Sequence, residues 1–253
     1  MTKPLRVFIT GASSGLGAAL ARHYGAAGAR LGLVGRRLDG LRATGAGLDA
    51  RLYQADVRDA AAMQAAAAAF VRDVGVPDIV IAAAGISVGT LTEMAEDAPV
   101  FRAVMDANVL GLVHTFQPFL ASMPPGGVVC GISSVAGVRG LPGGGAYSAS
   151  KAAATVYLEA LRLEMKARGI AVVTVAPGYI DTPMTRVNPY AMPFRMTAEA
   201  AAAKVARCIR RRRAYAVIPW QMAWVARAMK WLPTSLFDLL FEKAPRKPRG
   251  LPT

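Results

Sequence analysis

Tyr147 and Lys151 stand four residues apart in "AYSASKAAA" (146–154). On a helix that spacing sends both side chains out of one face. The stretch reads as a helix opening, so the pair is either a solvated helix entrance or a phenol with an ammonium one turn away, equipped to move a proton. A second chemical feature comes far earlier. "VFITGASSGLGAALARHYGAAG" (7–28) sets "TGASSGLG" directly after an apolar run and at the mouth of an alanine-rich one. There Gly11 permits a tight turn, Gly15 lets backbone amides approach a pyrophosphate, and Gly17 allows close helix–sheet packing. The spacing is G-x-x-x-G-x-G rather than G-x-G-x-x-G, but its position between strand and helix argues for phosphate binding.

The next turn bears on which dinucleotide would be held. An NAD site needs an acid about 20 residues past the loop, to bind the ribose 2′-hydroxyl. "LVGRRLDGL" (33–41) offers Gly35, Arg36 and Arg37 instead, with Asp39 already a turn into a helix. Two guanidiniums can clamp a 2′-phosphate, so NADP(H) is expected in preference to NAD(H).

These groups need elements to position them. Apolar runs at 5–10, 29–35, 51–57, 77–85, 126–134 and 169–178 read as strands buried on both faces, and 214–219 as one more. Helix candidates lie near 14–27, 37–47, 59–73, 97–121, 147–168 and 197–212. The alternation predicts a doubly wound, mostly parallel sheet with right-handed crossovers, a three-layer α/β/α arrangement. No Pro- or Ser-rich linker precedes residue 240, so 1–253 is read as one domain. The alanine run 60–69 is read as a helix packed closely on the sheet.

Composition narrows the function classes. Hydrophobic content of 54% with 18% charged residues fits a folded globular chain. Cys130 and Cys208 are too few and too far apart for a disulfide framework or thiolate site, and His23 and His114 form no ligand cluster, so no metal is expected. The start of the chain has no signal-peptide pattern, which makes the cytoplasm the expected location. The net charge of +14 is concentrated late. Residues 204–253 hold 12 Lys and Arg against two acids, Asp238 and Glu242, which leaves only +4 on the first 203 residues.

"TGASSGLG", "AD" (55–56), "AAAG" (82–85), Asn108, "ISSVAG" (132–137), "AYSASK" (146–151) and "PGYIDT" (177–182) follow one another in order. By these motifs the chain resembles the short-chain dehydrogenase/reductase family, in its single-domain Rossmann-like form, over about residues 5–182. The resemblance implies an oxidoreductase that interconverts a carbonyl and an alcohol. Tyr147 would be the acid/base and Lys151 its tuner and a ribose ligand. The ammonium and a positive nicotinamide would hold the phenol below its ordinary value near 10. Ser134 would hydrogen-bond the substrate oxygen, and Asn108 would hold a water linking Lys151 to solvent. Cofactor contacts would come from Gly11, Ser13, Ser14, Gly15, Leu16, Gly17, Arg36, Arg37, Asp56 (adenine), Val57, Ala84, Gly85, Tyr147, Lys151, Pro177, Gly178, Ile180 and Thr182. The family often carries "NNAG" where this chain has Ala82, Ala83, Ala84 and Gly85, a departure that bears on bracing of the sheet more than on chemistry. A homo-oligomer, dimer or tetramer, is expected. A catalytically silent nucleotide sensor on the same fold is the alternative, against which the complete Ser134, Tyr147 and Lys151 set argues.

Residues 183–196, "PMTRVNPYAMPFRM", would form a substrate lid whose Met, Tyr and Phe side chains suit a hydrophobic substrate. The 219–253 tail is less family-like. Trp220, Trp224 and Trp231 fall on one stripe of a helix starting after Pro219, widened by Met222, Val225 and Met229, with Arg227 and Lys230 opposite or at its edge. Pro233 ends that helix, and Ser235 with Asp238 suggests a capped second one. Three readings of this helical extension stay open: packing on the domain or another subunit, contact with an anionic membrane surface, or nucleic-acid binding through "RRRR" (210–213), the least supported because no reading module accompanies it.

Overall fold

The computed structural model describes residues 3–250; the last three residues of the 219–253 tail lie outside them. Its centre is a seven-stranded sheet in the order β3-β2-β1-β4-β5-β6-β9, all neighbours parallel. The strands are β1 (Arg6–Thr10), β2 (Arg30–Gly35), β3 (Ala50–Gln54), β4 (Ile79–Ala82), β5 (Val128–Ile132), β6 (Ala171–Pro177) and β9 (Tyr215–Ile218). Between them run α1 (Gly15–Ala26), α2 (Leu38–Gly45), α3 (Ala60–Asp73), α4 (Asp97–Met105), α5 (Gly111–Leu120), α6 (Gly145–Met165) and α8 (Ala198–Arg210). A small pair, β7 (Ile180–Asp181) and β8 (Met196–Thr197), brackets the one-turn α7 (Pro183–Arg186).

Each face of the sheet has its own core, as a doubly wound fold requires. One joins α1, α2 and α8 to the sheet through Leu20, Leu41, Val205 and Ile209. The other joins α3, α5 and α6 through Met63, Phe70, Phe116, Phe119 and Leu158. In the second, Phe8 meets Phe70 and Phe119 edge-on at 5.3 and 4.8 Å, the favoured arrangement of ring quadrupoles. The alanine run behaves as expected: α3 presses Ala66 and Ala67 onto the sheet.

Three boundaries differ from the sequence reading. The strand expected over 51–57 ends at Gln54, because the chain turns at Val57 and Arg58 before α3. The helix expected over 97–121 is interrupted by a π-turn, Asp106–Leu110, between α4 and α5. In the tail, α9 (Trp220–Trp231) and α10 (Thr234–Phe241) form, but the N-cap of α10 is Pro233. Ser235 lies inside the first turn and caps nothing, which corrects the expected side-chain cap.

The larger correction concerns which stripe of α9 is buried. Met222 and Ala226 face the protein, and a Cβ on Gly178 would come within 2.6 Å of Met222. The opposite stripe is left outside: Trp220, Trp224 and Trp231 are 67, 62 and 81% exposed. Small or flexible side chains fit the shallow surface beside β9, whereas indoles do not.

Because all seven strands point one way, their carboxyl ends share one edge. The strand order reverses between β1 and β4, which places a crevice there, where ligands of open α/β sheets bind.

Candidate active site

The glycine loop lies in that crevice. Gly11 has φ +72°, and a Cβ on it would stand 2.7 Å from the backbone of Ala84, just past β4. A Cβ on Gly17 would strike the Gly11 carbonyl, so α1 starts against the loop with no room for side chains. Gly15 (φ +56°) faces the Thr182 methyl, 3.2 Å from where its Cβ would be. The loop and the Pro177–Thr182 segment therefore stand opposite each other across the crevice. Ser14 is the N-cap of α1 without using its side chain for the cap, which leaves the first α1 amides open to a ligand at the helix mouth. Leu16 packs toward the core. Ser13 lies against Gly35 and Gly40, linking the loop to the Arg36–Arg37 turn.

Arg36 and Arg37 are exposed, and no carboxylate bridges either among the described residues. Asp39, the nearest acid, is held by Arg42 at 3.2 Å. Asp56 is occupied by Arg58, whose Nη2 approaches to 2.6 Å; that bridge outweighs burial and holds the carboxyl below its ordinary value. Val57 is buried against Gly111, and its carbonyl meets His114 Nδ1 at 2.9 Å. Across the crevice, Gly178 N–H donates to the Ile218 carbonyl (2.8 Å), Ile180 is buried, and Thr182 caps α7 in a reciprocal box with Thr185. These residues form a cradle of backbone amides, glycines and unpaired guanidiniums that fits a dinucleotide.

The proton-handling groups sit beside it. Ser134, past the end of β5, caps a single 3₁₀ turn (Val135–Gly137), its Oγ accepting from Ala136 N–H at 3.1 Å. That turn touches α6 so closely that a Cβ on Gly137 would be 2.7 Å from the Lys151 carbonyl carbon. Ser133 adds a fastening, donating to the Lys151 carbonyl at 3.0 Å while pairing with Thr155 at 2.6 Å. Ser134, Tyr147 and Lys151 are thereby brought together from β5 and α6.

Lys151 is only 5% exposed. Its Nζ donates to the Ile132 carbonyl at 2.9 Å and lies 5.8 Å from the centre of the Tyr147 ring. Burial lowers the ammonium to about 8. In the protein alone Tyr147 lies above its ordinary value; the lowering expected from Lys151 together with a positive nicotinamide concerns the cofactor-bound state. Burial raises it, and the hydrogen bond with Ser134 only offsets part of that rise. The lysine is directed at a strand carbonyl rather than at the phenol oxygen, so these residues by themselves keep the phenol protonated.

Asn108 sits in the π-turn, buried to 2%. Its Oδ1 accepts from Ile86 N–H (2.8 Å), and its Nδ2 donates to the Ile86 carbonyl and to Ser150 Oγ, both at 2.9 Å. It does not touch Lys151. Between them lies the space a Gly85 side chain would fill: a Cβ there would be 2.8 Å from Asn108 Oδ1 and 3.6 Å from Lys151 Nζ.

Two neighbours of Tyr147 carried no motif. Tyr190, from the 183–196 segment, is pushed up to about 12 by burial first, then by Tyr179 and Tyr147. Lys247, from the segment after α10, holds its ammonium 5.1 Å from the Tyr147 ring centre. Only its charge, one of 30 Lys and Arg in the chain, could have pointed to it.

Comparison with known proteins identifies the family and the fold. The family model described as short chain dehydrogenase matches residues 6–191. An uncharacterized oxidoreductase from Myxococcus xanthus is 36% identical over 237 residues, covering 91% of this chain and 93% of its own. A sulfoacetaldehyde reductase from Chromohalobacter salexigens is 35% identical over 189 residues, 72% of this chain and 75% of its own. The crystal structure of levodione reductase superposes with a TM-score of 0.76 at 27% identity, covering 84% of this chain and 95% of that one.

Proposed function

The chain belongs to the short-chain dehydrogenase/reductase family, an NAD(P)-dependent oxidoreductase acting on CH–OH groups, and on that premise we propose that it uses NADP(H), with Tyr147 as acid/base. The observation that carries the reading is the placement of Ser134, Tyr147 and Lys151 on the carboxyl edge that also holds the glycine cradle. When bound, the cofactor supplies or accepts the hydride.

The residues do the rest. Ser134 Oγ, fixed by its cap to Ala136, orients the substrate oxygen. In the reducing direction Tyr147 donates its phenolic proton to that oxygen, and burial favours this role by keeping the proton on. Lys151 favours the phenolate left behind. Asn108 and Lys151 flank the gap at Gly85, where a water would return a proton from solvent. Arg36 and Arg37, which no carboxylate bridges among the described residues, clamp the 2′-phosphate. The 183–196 segment brings Tyr190 to Tyr147 and supplies Met184, Val187 and Phe194 for an apolar substrate body. The name of the sulfoacetaldehyde reductase supports an aldehyde as one possible carbonyl class.

Consumption of NADPH against a panel of aldehydes and ketones tests this reading. Turnover that prefers NADPH to NADH supports it. Tight cofactor binding without turnover of any carbonyl would favour a silent nucleotide sensor instead.

The exposed tryptophans support a membrane-peripheral role for the tail. Leu239 and Leu240 of α10 are exposed as well, as are Arg227, whose guanidinium lies 5.3 Å from the Trp224 ring centre, Lys230 and Lys243. No helix among the described residues is long and apolar enough to cross a membrane. Indoles with lysines and arginines suit an anionic lipid surface, whereas a second copy would bring another chain of net +14 to the same face. Binding to anionic but not neutral vesicles, lost on replacing the three tryptophans with alanine, is expected. A dimer that the same replacement dissociates, without vesicle binding, would assign the face to a second copy.

A further inference from the structure

The end of the chain returns to the active site. Residues 244–250 run as a strap over the loop after β4 and the loop before α6. Gly89 N–H donates to the Pro248 carbonyl at 2.8 Å, and Gly89 pairs with Arg249 in a parallel bridge. A side chain at Gly89 would collide with the Lys247 carbonyl, and one at Gly143 (φ +69°) would meet Arg246 Cβ at 2.9 Å. Two glycines thus make room for the strap. Arg249 anchors it, bridging Asp97 at 2.8 Å and Glu96 at 2.9 Å.

This anchoring sets Lys247 against Tyr147. Its Nζ donates to Ser87 Oγ and lies 5.1 Å from the Tyr147 ring centre. The ammonium has three donors, and Ser87 is its one hydrogen-bond partner among the described residues. No carboxylate there bridges it, since Arg249 takes both nearby acids. A partly buried cation without a carboxylate counter-charge is unfavourable; the Tyr147 ring beneath it offsets part of that cost, and an anionic ligand would offset more.

We propose that Lys247 is the substrate's anion-binding residue: the physiological substrate is a carbonyl compound with an oxyanion group, carboxylate, sulfonate or phosphate, only a few bonds from the carbonyl. This rests on the reading of Tyr147 as the acid that serves that carbonyl. With Lys247 Nζ 5.1 Å from the Tyr147 ring centre, one small molecule whose carbonyl meets the phenol would bring a group a few bonds away within reach of the ammonium. The apolar side chains of 183–196 would cover its carbon skeleton.

The test compares succinic semialdehyde with butanal, which share a carbon chain but differ in the carboxylate. Lys247→Met is expected to raise KM for succinic semialdehyde roughly 10- to 100-fold, the worth of a charge-assisted hydrogen bond, and to leave butanal within about twofold. Lys247→Arg is expected to restore most of the loss. Arg249→Ala, which frees the strap, is expected to act in the same direction. An equal effect on both aldehydes, or none, overturns the proposal while leaving the Tyr147 reading intact. If the wild type reduces neither aldehyde, the proposal is read by binding alone. Succinate is then expected to raise the Tm of the cofactor-loaded protein more than succinamide does, and the difference to vanish in Lys247→Met. Equal shifts in the wild type would also overturn it.

Discussion

Gly85→Ala probes the gap between Asn108 and Lys151 with a single methyl group. The new Cβ would stand 2.8 Å from Asn108 Oδ1, well inside van der Waals contact. Asn108 cannot simply retreat, because Ile86 N–H, the Ile86 carbonyl and Ser150 Oγ all hold its amide at 2.8–2.9 Å. Either those bonds lengthen or the loop after β4 moves away from the glycine cradle. Overpacking of this kind costs about 1–3 kcal/mol, which for a chain of this size lowers Tm by roughly 2–12 °C. Small displacements of a catalytic group cost up to about 100-fold in rate, so kcat should fall by roughly 10- to 100-fold while cofactor affinity changes less. Gly140→Ala is the control, since a Cβ there meets nothing within 4 Å. Thermal unfolding and steady-state kinetics of the two variants provide the assay. If Gly85→Ala matched Gly140→Ala in both, the gap would have no part in the proton path.

Other outcomes follow from the same geometry. Replacing Arg36 and Arg37 together with alanine should weaken NADPH about 100-fold and leave NADH within a few-fold, on the scale of charge-assisted hydrogen bonds to a phosphate; tighter binding of NADH by the wild type would refute the assignment. Reduction uses Tyr147 with its proton and Lys151 as an ammonium. Since burial brings the ammonium to about 8 while Tyr147 lies above its ordinary value, kcat/KM should hold on the acid side and fall as pH rises through about 8. A neutral aldehyde is required for that profile, because Lys247 is likewise lowered to about 8 by burial. A rate that climbed through the same range would contradict the assignment.

Much of the architecture was legible because buried parallel strands leave continuous apolar runs, such as 79–82 and 171–177, and helices between them leave long alanine-rich ones. Ser134, Tyr147 and Lys151 were legible as spacing, but their electrostatics were not. Four residues on a helix fix a shared face, whereas only the fold shows that Lys151 Nζ is directed to the Ile132 carbonyl. In α9 the apolar pattern permits two buried stripes, and the surface beside Gly178 selects Met222 over the tryptophans. Lys247 lies 100 residues beyond Tyr147 in a Pro- and Arg-rich end without periodicity. Its approach depends on the Arg249–Asp97 pairing, which no local pattern encodes.

The central claim is that the Tyr147 phenol delivers the proton, and Tyr147→Phe removes only that hydroxyl. Single-turnover reduction of a carbonyl substrate by the wild type and Tyr147→Phe, each saturated with NADPH, measures it most directly. The account predicts a loss of about 100-fold or more with cofactor affinity retained; near-normal turnover by Tyr147→Phe would contradict it.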